Sequence, residues 1–302
     1  MNTDYLKDLL NEFGENVRFN YDLKKKNWFN IGGKTKVFFK ADNLKDLIKF
    51  LKKLDNKERI FTLGAGSNTL ISDGIFDGVV IKFGKNFNNL SLLDDDIIIA
   101  GSAVLDKSLS DFASENNLSG FEFLSCIPGT IGGGIKMNAG CFGKEFKDIL
   151  ISIQAVNKSG EVRSIPAKEI KFEYRKNNLS EDLIFLSASF RGKKSDRKKI
   201  IDTSEKLKAE KEKNQPTKIK TSGSTFKNPV KETKKKVWEL IKESVPLDTK
   251  FGDASISKKH CNFFVNENEA KFKHMQKLIN FVKEKVKKKT GVNLELEIIL
   301  VE

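Results

Sequence analysis

The sequence predicts an α+β protein built in two parts, and three observations lead to that fold class. Short β-branched and aromatic runs alternate with amphipathic helical stretches up to about residue 190, which favours a domain of mixed sheets and helices. A highly charged stretch, 191–220, follows and contains Pro216, so it marks a boundary between the two parts. A long amphipathic helix and a final apolar run then predict a smaller α+β domain at the C-terminus.

The first part is predicted to open with a short helix over residues 4–13. Asn43 is a good N-cap for the amphipathic stretch that ends at Leu54, so a second helix is expected there. A third helix is expected at 106–117. The predicted strands occupy residues 36–41, 58–63, 77–83, 97–102, 149–157, 161–166 and 182–190.

The second part is predicted to contain more helix than strand. A charged helix at 195–213 leads into it, and further helices are expected at 233–243 and 268–289. In the longest of these, apolar residues form one stripe while lysines occupy the other faces, as in an amphipathic helix with a solvated side. Short strands are expected near 255–265, and a final strand over 294–301.

Composition limits the classes of function. The 302 residues carry 55 Lys and Arg against 41 Asp and Glu, a net charge of +14, which raises nucleic acid and other anions as ligands. Only six of the basic residues are arginine, whereas specific recognition of phosphate and guanine favours arginine. Most of the charge is therefore assigned to solvated, lysine-rich helix faces.

Three further features concern the compartment and metal binding. No apolar run approaches the roughly 18 residues of a membrane-spanning helix, and the N-terminus lacks the apolar core of a signal peptide. Cys126, Cys141 and Cys261 are an odd number without CxxC spacing, so neither a disulfide framework nor a zinc site is expected. We predict a cytoplasmic protein without membrane insertion and without a metal.

Three glycine-rich segments are the strongest signal for a ligand. The GAGSN loop, 64–68, follows a predicted strand and can turn backbone N–H groups toward a pyrophosphate. It lacks the pattern of a Rossmann or a Walker loop. PGTIGGGIKMNAG at 128–140 and FNIGG at 29–33 add two segments whose backbone can approach a flat ligand closely. Together they favour a large dinucleotide such as FAD, with tight structural turns as the alternative.

Three side chains are candidates for chemistry. Ser224 in SGSTFKNP has no GxSxG elbow, which disfavours a hydrolase and leaves a serine proton donor. Arg175 is one of the few arginines, and the alternative to a functional role is a surface ion pair with Glu173 or Glu181. Glu297 alternates with apolar residues near the C-terminus, so it is either functional or on the solvated face of a strand.

Seven segments, taken in order, resemble the UDP-N-acetylenolpyruvoylglucosamine reductase (MurB) family of flavoenzymes. They are NWFNIGG (27–33), TLGAGSNTLISDGIFDGVVI (62–81), GFEFLSCIPGTIGGGIKMNAGCFG (120–143), FEYRKN (172–177), TSGSTFKNP (221–229), GDASISKKHCNFFVN (252–266) and LELEI (294–298). The resemblance covers nearly the whole chain. Because no long tyrosine-bearing insertion lies between 190 and 220, the chain resembles the shorter of the family's two subtypes. It departs from the family pattern at Cys126, at 245–252 and at Ile299.

The resemblance implies a two-lobed FAD-binding domain of the vanillyl-alcohol oxidase (PCMH) type and a smaller α+β substrate domain. The corresponding boundaries are 1–20 for an N-terminal helix and lead-in, 21–192 for the FAD-binding domain, 193–220 for a helix and linker, and 221–302 for the substrate-binding domain. It also implies an NADPH-dependent UDP-N-acetylmuramate dehydrogenase of peptidoglycan synthesis. Its substrate is UDP-N-acetylglucosamine enolpyruvate, which receives hydride from flavin N5 at C3 and a proton at C2.

Carried onto this chain residue by residue, the resemblance implies Arg175, Ser224 and Glu297 as the catalytic residues. Ser224 is the implied proton donor, while Arg175 and Glu297 act on the substrate carboxylate. Glu297 is expected to have a raised pKa, because it must hold a proton to donate to that group. Arg175, Lys227 and Asn228 are the implied substrate contacts. The implied FAD-binding residues are Asn27, Ile31, Gly32, Gly33, Leu63, Gly64, Ala65, Gly66, Ser67, Asn68, Ile127, Pro128, Gly129, Thr130, Gly132, Gly133, Asn138 and Gly140.

Two other functions remain open at this stage. A related FAD-dependent oxidase or dehydrogenase with another substrate would keep the glycine-rich loops, but would not keep SGSTFKNP and Glu297 together. A basic nucleic-acid-binding protein rests on the charge alone, and it predicts arginine clusters and aromatic stacking platforms. The favoured function predicts a monomer whose partners are small molecules, NADPH and the nucleotide sugar, and not nucleic acid.

Overall fold

The computed structural model describes residues 3–55, 57–217 and 219–302. Residues 1 and 2 of the predicted N-terminal segment and Lys218 of the predicted linker lie outside the described residues. The chain forms two compact units. The N-terminal unit consists of Met1–Tyr21, Lys36–Ala65 and Gly78–Glu210, and the C-terminal unit consists of Asp22–Thr35, Gly66–Asp77 and Lys211–Glu302. The predicted domain boundaries stay a prediction; the units differ from them because two early segments belong to the C-terminal unit.

Helices occur in both units, and most match the predicted positions within a few residues. They are α1 (Thr3–Phe13), α2 (Leu44–Lys53), α3 (Asp106–Glu115), α4 (Ile131–Lys136), α5 (Arg197–Asn214), α6 (Val237–Ser244) and α7 (Phe272–Thr290). The cap predicted for α2 is confirmed, since the Asn43 side chain accepts a hydrogen bond from the Asp46 N–H at 2.9 Å.

The strands are short, and several belong to two-residue hairpins. In chain order they are β1 (Val17–Asp22), β2 (Lys34–Ala41), β3 (Ile60–Thr62), β4 (Thr69–Ile71), β5 (Ile75–Phe83), β6 (Leu90–Asp94), β7 (Ile97–Gly101), β8 (Leu118–Ser119), β9 (Gly140–Cys141), β10 (Lys144–Glu145), β11 (Leu150–Val156), β12 (Val162–Pro166), β13 (Phe172–Glu173), β14 (Lys176–Asn177), β15 (Ile184–Arg191), β16 (Lys193–Lys194), β17 (Lys250–Phe251), β18 (Ala254–Ile256), β19 (Phe264–Asn266) and β20 (Ile299–Val301).

The N-terminal unit has two lobes, each with its own sheet and core. The first sheet has the order β1-β2-β5-β3, and α2 contributes Phe50 to its core, where the ring stacks on Phe39 at 3.9 Å between centroids. The second sheet has the order β12-β11-β15-β7-β6 with antiparallel neighbours. Its core contains Leu109 from α3 together with Phe146 and Phe190. Two separate cores are what a two-lobed domain requires.

The C-terminal unit has one core. Helices α6 and α7 and the sheet β17-β18-β19 contribute to it. The apolar stripe predicted for the long helix is confirmed, because Met275, Ile279, Val282 and Val286 are all buried. The last strand, β20, pairs in parallel with β4.

Two local predictions are wrong, and each has a physical reason. The final strand predicted over 294–301 is limited to β20, because residues before it pair with another segment through an isolated bridge between Leu296 and Phe226. The glycine-rich 128–140 segment, expected as a loop, contains helix α4. A Cβ on Gly134 would lie 2.3 Å from the Phe146 ring, so glycine here permits close packing of a helix.

Candidate active site

The first half of the GAGSN loop lies against the second glycine-rich segment within the N-terminal unit. A Cβ on Gly64 would lie 2.5 Å from the Thr130 hydroxyl oxygen. Leu63 N–H donates to the Ile81 carbonyl at 2.9 Å, and the Lys82 ammonium donates to the Gly64 carbonyl. The structure therefore brings together two of the segments that the sequence assigned to FAD.

The segment from Gly129 to Gly132 runs antiparallel to residues 102–106. Asp106 N–H donates to the Gly129 carbonyl at 3.2 Å, and Gly132 N–H donates to the Ser102 carbonyl at 3.0 Å. A Cβ on Gly129 would lie 2.5 Å from the Asp106 carboxyl, so the protein's own packing requires glycine at this position. Gly133 differs, because it is exposed and a Cβ there would meet nothing closer than 3.6 Å. It leaves room for a flat ligand.

Asp106 is sealed beneath this segment. The residue is fully buried, and neither carboxyl oxygen has a hydrogen-bond partner within the described chain. Burial away from charge raises the pKa of the Asp106 carboxyl well above its usual range. The Asp106 backbone holds this segment through its bond to the Gly129 carbonyl. Its side chain has no surface exposed to solvent.

Arg175 occupies a two-residue turn between β13 and β14 and adopts a left-handed backbone conformation, with φ of +57°. Its Nη2 donates to the Gly140 carbonyl at 3.0 Å, and its Cζ lies 4.8 Å from the centroid of the Tyr174 ring. The Glu145 carboxylate lies 4.0 Å from Nη1. The side chain is 16% exposed, so the guanidinium is held by several contacts and keeps a small part of its surface accessible.

Asn138 lies beside Arg175 and is fully buried. Its amide donates to the Glu145 carboxylate and to the Glu173 carbonyl, each at 3.0 Å, and its side-chain oxygen accepts from Lys147 N–H at 3.1 Å. Sequence reasoning placed Asn138 at the flavin; as folded, its side chain ties together the segments around Arg175. Glu145 was missed by sequence reasoning. Its only sequence signal is its position just after the turn-forming Phe142-Gly143 pair.

Ser224 lies in the C-terminal unit on an extended segment that Asn262 holds from both sides. Ser224 forms an isolated bridge with Phe263. Asn262 accepts from Phe226 N–H at 3.0 Å and donates to the Phe226 carbonyl at 2.9 Å through its side chain. The Ser224 side chain is half-buried, and across the described residues its hydroxyl makes no hydrogen bond to the protein. Its backbone is fixed and its hydroxyl is uncommitted.

The same unit brings Glu297 next to this segment. Glu297 N–H donates to the Thr225 carbonyl at 2.9 Å, and the Asn68 side chain donates to the Glu297 carbonyl at 3.0 Å. Two of the three implied substrate contacts, Lys227 and Asn228, follow Ser224 closely in the sequence. The Lys227 ammonium lies 3.6 Å from the Glu295 carboxylate, and Asn228 accepts from Val237 N–H at 3.0 Å, which caps α6.

Residues 26–28, which lead into the FNIGG segment, contact Gly66 of GAGSN within the C-terminal unit. Trp28 N–H donates to the Gly66 carbonyl at 2.9 Å, and Gly66 has φ of +68° with the Lys26 carbonyl 2.3 Å from where a Cβ would sit. The buried Asn27 side chain donates to the Ile31 carbonyl at 2.7 Å, while its oxygen lacks a partner among residues the structure describes. The backbone N–H groups of Gly66, Ser67 and Asn68 have no hydrogen-bond acceptor within the described residues. These donors fit a pyrophosphate.

His260 is partly buried, Cys261 is buried, and both are in contact with the protein itself. Burial lowers the pKa of His260 and raises the pKa of the neighbouring Cys261 thiol, which donates to the Trp238 carbonyl at 3.0 Å. In residues 3–55, 57–217 and 219–302, no group of three or more His, Cys, Asp and Glu side chains could hold a metal ion. Across those same residues, no helix is both long and apolar enough to cross a membrane.

Comparison with known proteins gives the family. Residues 215–301 match the model of the C-terminal domain of UDP-N-acetylenolpyruvoylglucosamine reductase, and residues 35–165 match an FAD-binding domain. The UDP-N-acetylenolpyruvoylglucosamine reductase of Pelagibacter ubique is 65% identical over 298 residues, which cover 99% of each chain. The chain belongs to the UDP-N-acetylenolpyruvoylglucosamine reductase family. The family resemblance, the FAD-binding domain and the oxidoreductase class predicted from the sequence are thereby confirmed.

Other reductases of this family support the same assignment. The Rickettsia bellii reductase is 45% identical over 281 residues, covering 93% of this chain and 92% of that protein. The crystal structure of UDP-N-acetylenolpyruvylglucosamine reductase (MurB) from Thermus caldophilus matches with a TM-score of 0.81 at 26% identity, covering 95% and 98% of the two chains. The predicted α+β fold, with an FAD-binding domain and a MurB C-terminal domain, is confirmed.

Proposed function

We propose that this chain reduces UDP-N-acetylglucosamine enolpyruvate to UDP-N-acetylmuramate, with NADPH as reductant, as a step of peptidoglycan synthesis. The observation that carries the proposal is the 65% identity with a reductase of that name over 99% of both chains. Arg175, Ser224 and Glu297 stand at the positions implied for catalysis.

The residues available for FAD suit the cofactor. Loop 64–68 offers backbone N–H groups for the pyrophosphate, the buried Asn27 oxygen awaits a donor, and exposed Gly133 leaves space for a flat ring. When bound, FAD supplies the redox chemistry: it accepts hydride from NADPH and delivers hydride through N5 to C3 of the enolpyruvyl group. The remaining FAD contacts implied by the sequence belong to the same proposal.

Arg175 is proposed to bind the substrate carboxylate. As C3 gains a hydride, negative charge develops on that carboxylate as an enolate. A cation held in a fixed orientation stabilises charge that grows during the reaction, and its stabilising effect is greatest where water is excluded. The contacts of Arg175 with the Gly140 carbonyl and the Tyr174 ring provide that fixed orientation. The planar guanidinium suits two-point binding of a carboxylate.

Ser224 is proposed to donate the proton to C2. An enolate carbon is a stronger base than a serine alkoxide in such a site, so the proton moves from the hydroxyl to C2 and completes the addition begun at C3. The uncommitted, half-buried hydroxyl suits this role. Lys227 is proposed to assist through its positive charge. Glu297, holding a proton, is proposed to donate a hydrogen bond to the enolate oxygen.

We further propose that the enzyme acts as a monomer in the cytoplasm on small molecules and does not bind nucleic acid. The three cysteines are an odd number without CxxC spacing, which fits a reducing compartment. The C-terminal unit, where lysine is densest, contains no arginine, which fits the absence of a phosphate or base reader. Size-exclusion chromatography tests the monomer.

The proposed function is tested by the spectrum and by substrate-dependent oxidation of NADPH. The purified protein is expected to be yellow, with a flavin absorbance spectrum. NADPH absorbance is expected to fall continuously only when UDP-N-acetylglucosamine enolpyruvate is present. A flavin-containing protein that oxidises NADPH without regard to this substrate would indicate a related flavin oxidase. A colourless protein that does not bind added FAD would exclude both flavoenzymes.

A further inference from the structure

A carboxylate that the reaction itself does not require lies beside Arg175. Glu145 lies on β10 and pairs with Gly140 on β9. A Cβ on Gly140 would lie 2.8 Å from the Glu145 Cγ, so the glycine allows the glutamate side chain to cross over the hairpin. We propose that Glu145 is a positioning residue that holds the Arg175 guanidinium in the orientation needed to bind the substrate carboxylate. This inference rests on the proposed function.

The Glu145 carboxylate is contacted by several donors within the described residues. The Asn138 amide donates to Oε2 at 3.0 Å, the Lys147 ammonium lies 2.8 Å from the same oxygen, and the Arg175 guanidinium lies 4.0 Å from Oε1. The side chain also accepts from the Asp148 N–H in a capping box. An ionised carboxylate satisfies all of these donors. A glutamine amide would present one oxygen and one N–H₂ group, so its N–H₂ would face one of these donors.

Arg175 needs such support because its turn is strained. A left-handed conformation costs a residue with a Cβ about 1–2 kcal/mol, and Arg175 has φ of +57°. The hairpin base is anchored by Asn177, whose amide donates to the Ile135 and Lys136 carbonyls at the end of α4. The turn at the tip of the hairpin is held by the contacts of the Arg175 side chain. Backbone strain held in place by surrounding contacts is a common feature of functional turns.

Lys147 balances the charge of Glu145. Its ammonium contacts the carboxylate, and this hydrogen bond raises the pKa of Lys147. The Glu145 carboxylate is thus shared between the Lys147 ammonium at 2.8 Å and the Arg175 guanidinium at 4.0 Å. This arrangement suits a carboxylate that orients the guanidinium.

The test uses the flavin-loaded enzyme, with Glu145→Gln compared with Glu181→Gln. Glu181 is a matched control, because its carboxylate also lies 2.8 Å from a lysine ammonium, that of Lys136, but it is 89% exposed. With rates normalised to bound flavin, Glu145→Gln is expected to lower kcat/KM for the enolpyruvyl substrate by about 10- to 100-fold. Reduction of the flavin by NADPH alone is expected to change by no more than about twofold. Glu181→Gln is expected to match the wild type in both measurements.

A double-mutant cycle tests whether Glu145 acts through Arg175. In an Arg175→Lys background, Glu145→Gln is expected to add little further loss, because the group it positions is already changed. Full additivity overturns the inference, as does a Glu145→Gln enzyme whose flavin-normalised kcat/KM equals that of the control. If the wild-type enzyme does not turn over the enolpyruvyl substrate, the proposed function fails. If the wild type turns it over and Glu145→Gln does so equally well, the proposed function stands and this inference fails.

Discussion

The two units hold their functional side chains in opposite ways. In the N-terminal unit the Arg175 side chain contacts a carbonyl, a carboxylate and an aromatic ring. In the C-terminal unit the backbone around Ser224 is fixed by Asn262, and the hydroxyl makes no hydrogen bond within the described chain. A cation that must keep one orientation needs contacts on its side chain. A hydroxyl that gives away its proton needs a fixed backbone and an uncommitted oxygen.

The units also differ in charge. The C-terminal unit contains 25 lysines, no arginine and 15 acidic residues, whereas the N-terminal unit contains all six arginines among 30 basic and 26 acidic residues. The charge that dominates the composition is thus separate from the one arginine assigned to the substrate. Solvated lysines attract anions at long range, and the half-buried Arg175 guanidinium is proposed to orient one of them.

The largest effect is expected from Ser224→Ala in the C-terminal unit. Turnover is expected to fall by about 10²- to 10⁴-fold, because a positioned proton donor contributes on that order. Reduction of the flavin by NADPH should stay normal in a stopped-flow measurement, since the serine acts only on the second substrate. Ser164→Ala, an exposed serine, is the matched control. Normal turnover of the Ser224 variant would remove the proton-donor role.

Arg175→Lys tests the arginine side of the comparison. It keeps the charge but loses the planar fork and its contact with the Gly140 carbonyl, so kcat/KM is expected to fall by about 10²-fold. Arg163→Lys provides an exposed arginine in the same unit as control. An unchanged steady-state rate for Arg175→Lys would show that charge alone suffices.

Gly66→Ala probes the crowded loop of the C-terminal unit. The new Cβ would be placed 2.3 Å from the Lys26 carbonyl in a left-handed conformation, so the free energy of unfolding is expected to fall by about 2–4 kcal/mol. Gly291→Ala shares the left-handed conformation, with φ of +77°, but has open space around it, and is expected to cost about 1 kcal/mol. Urea denaturation compares the two variants; equal losses would mean that the clash is relieved.

The smallest effect is expected from Asp106→Asn in the N-terminal unit. Burial raises the folded-state pKa of Asp106 well above 3.8, the usual value of an aspartate. Above that pH the folded state keeps a proton that the unfolded state has lost, so wild-type stability declines as pH rises. Asp106→Asn has no titrating carboxyl at this position and therefore no such loss of stability. Its free energy of unfolding is expected to be about 1–3 kcal/mol higher than that of the wild type near neutral pH.

The pH series supplies the control for that prediction. The stability difference between Asp106→Asn and the wild type should shrink toward zero as the pH approaches about 4. Asp111→Asn, an exposed aspartate on the same helix α3, should show no such trend. A Tm difference for Asp106→Asn that is constant across pH would mean that its carboxyl does not titrate as burial predicts.

Much of the fold follows from local sequence patterns. The apolar stripe of α7, the Asn43 cap and the strand that precedes GAGSN all depend on residues close in the chain, so periodicity and capping chemistry suffice to predict them. Arg175 and Ser224 could be singled out because their segments match a known family. Glu145 could not, because its role depends on Asn138 and Arg175, which approach it only after the hairpins form.

The errors have the same origin. The final strand was predicted too long because alternation at 294–298 reflects pairing with residues 225–227, which no local pattern reveals. Helix α4 was not predicted because its glycines lower helix propensity. The reason for glycine at position 134 is the close approach of the Phe146 ring, which comes later in the chain. Close packing with distant residues overrode local preference in both places.

The interleaving of segments has a consequence for synthesis on the ribosome. Asn68 bonds to Glu297, 229 residues later, and β4 pairs with β20 at the end of the chain. The C-terminal unit therefore lacks β20 until residues 299–301 are synthesised, roughly 11–46 seconds after β4 at about 5–20 residues per second. During that interval the buried Leu70 and Ile71 have no strand partner from β20. The nascent chain thus presents an apolar segment that a holding chaperone can bind before release.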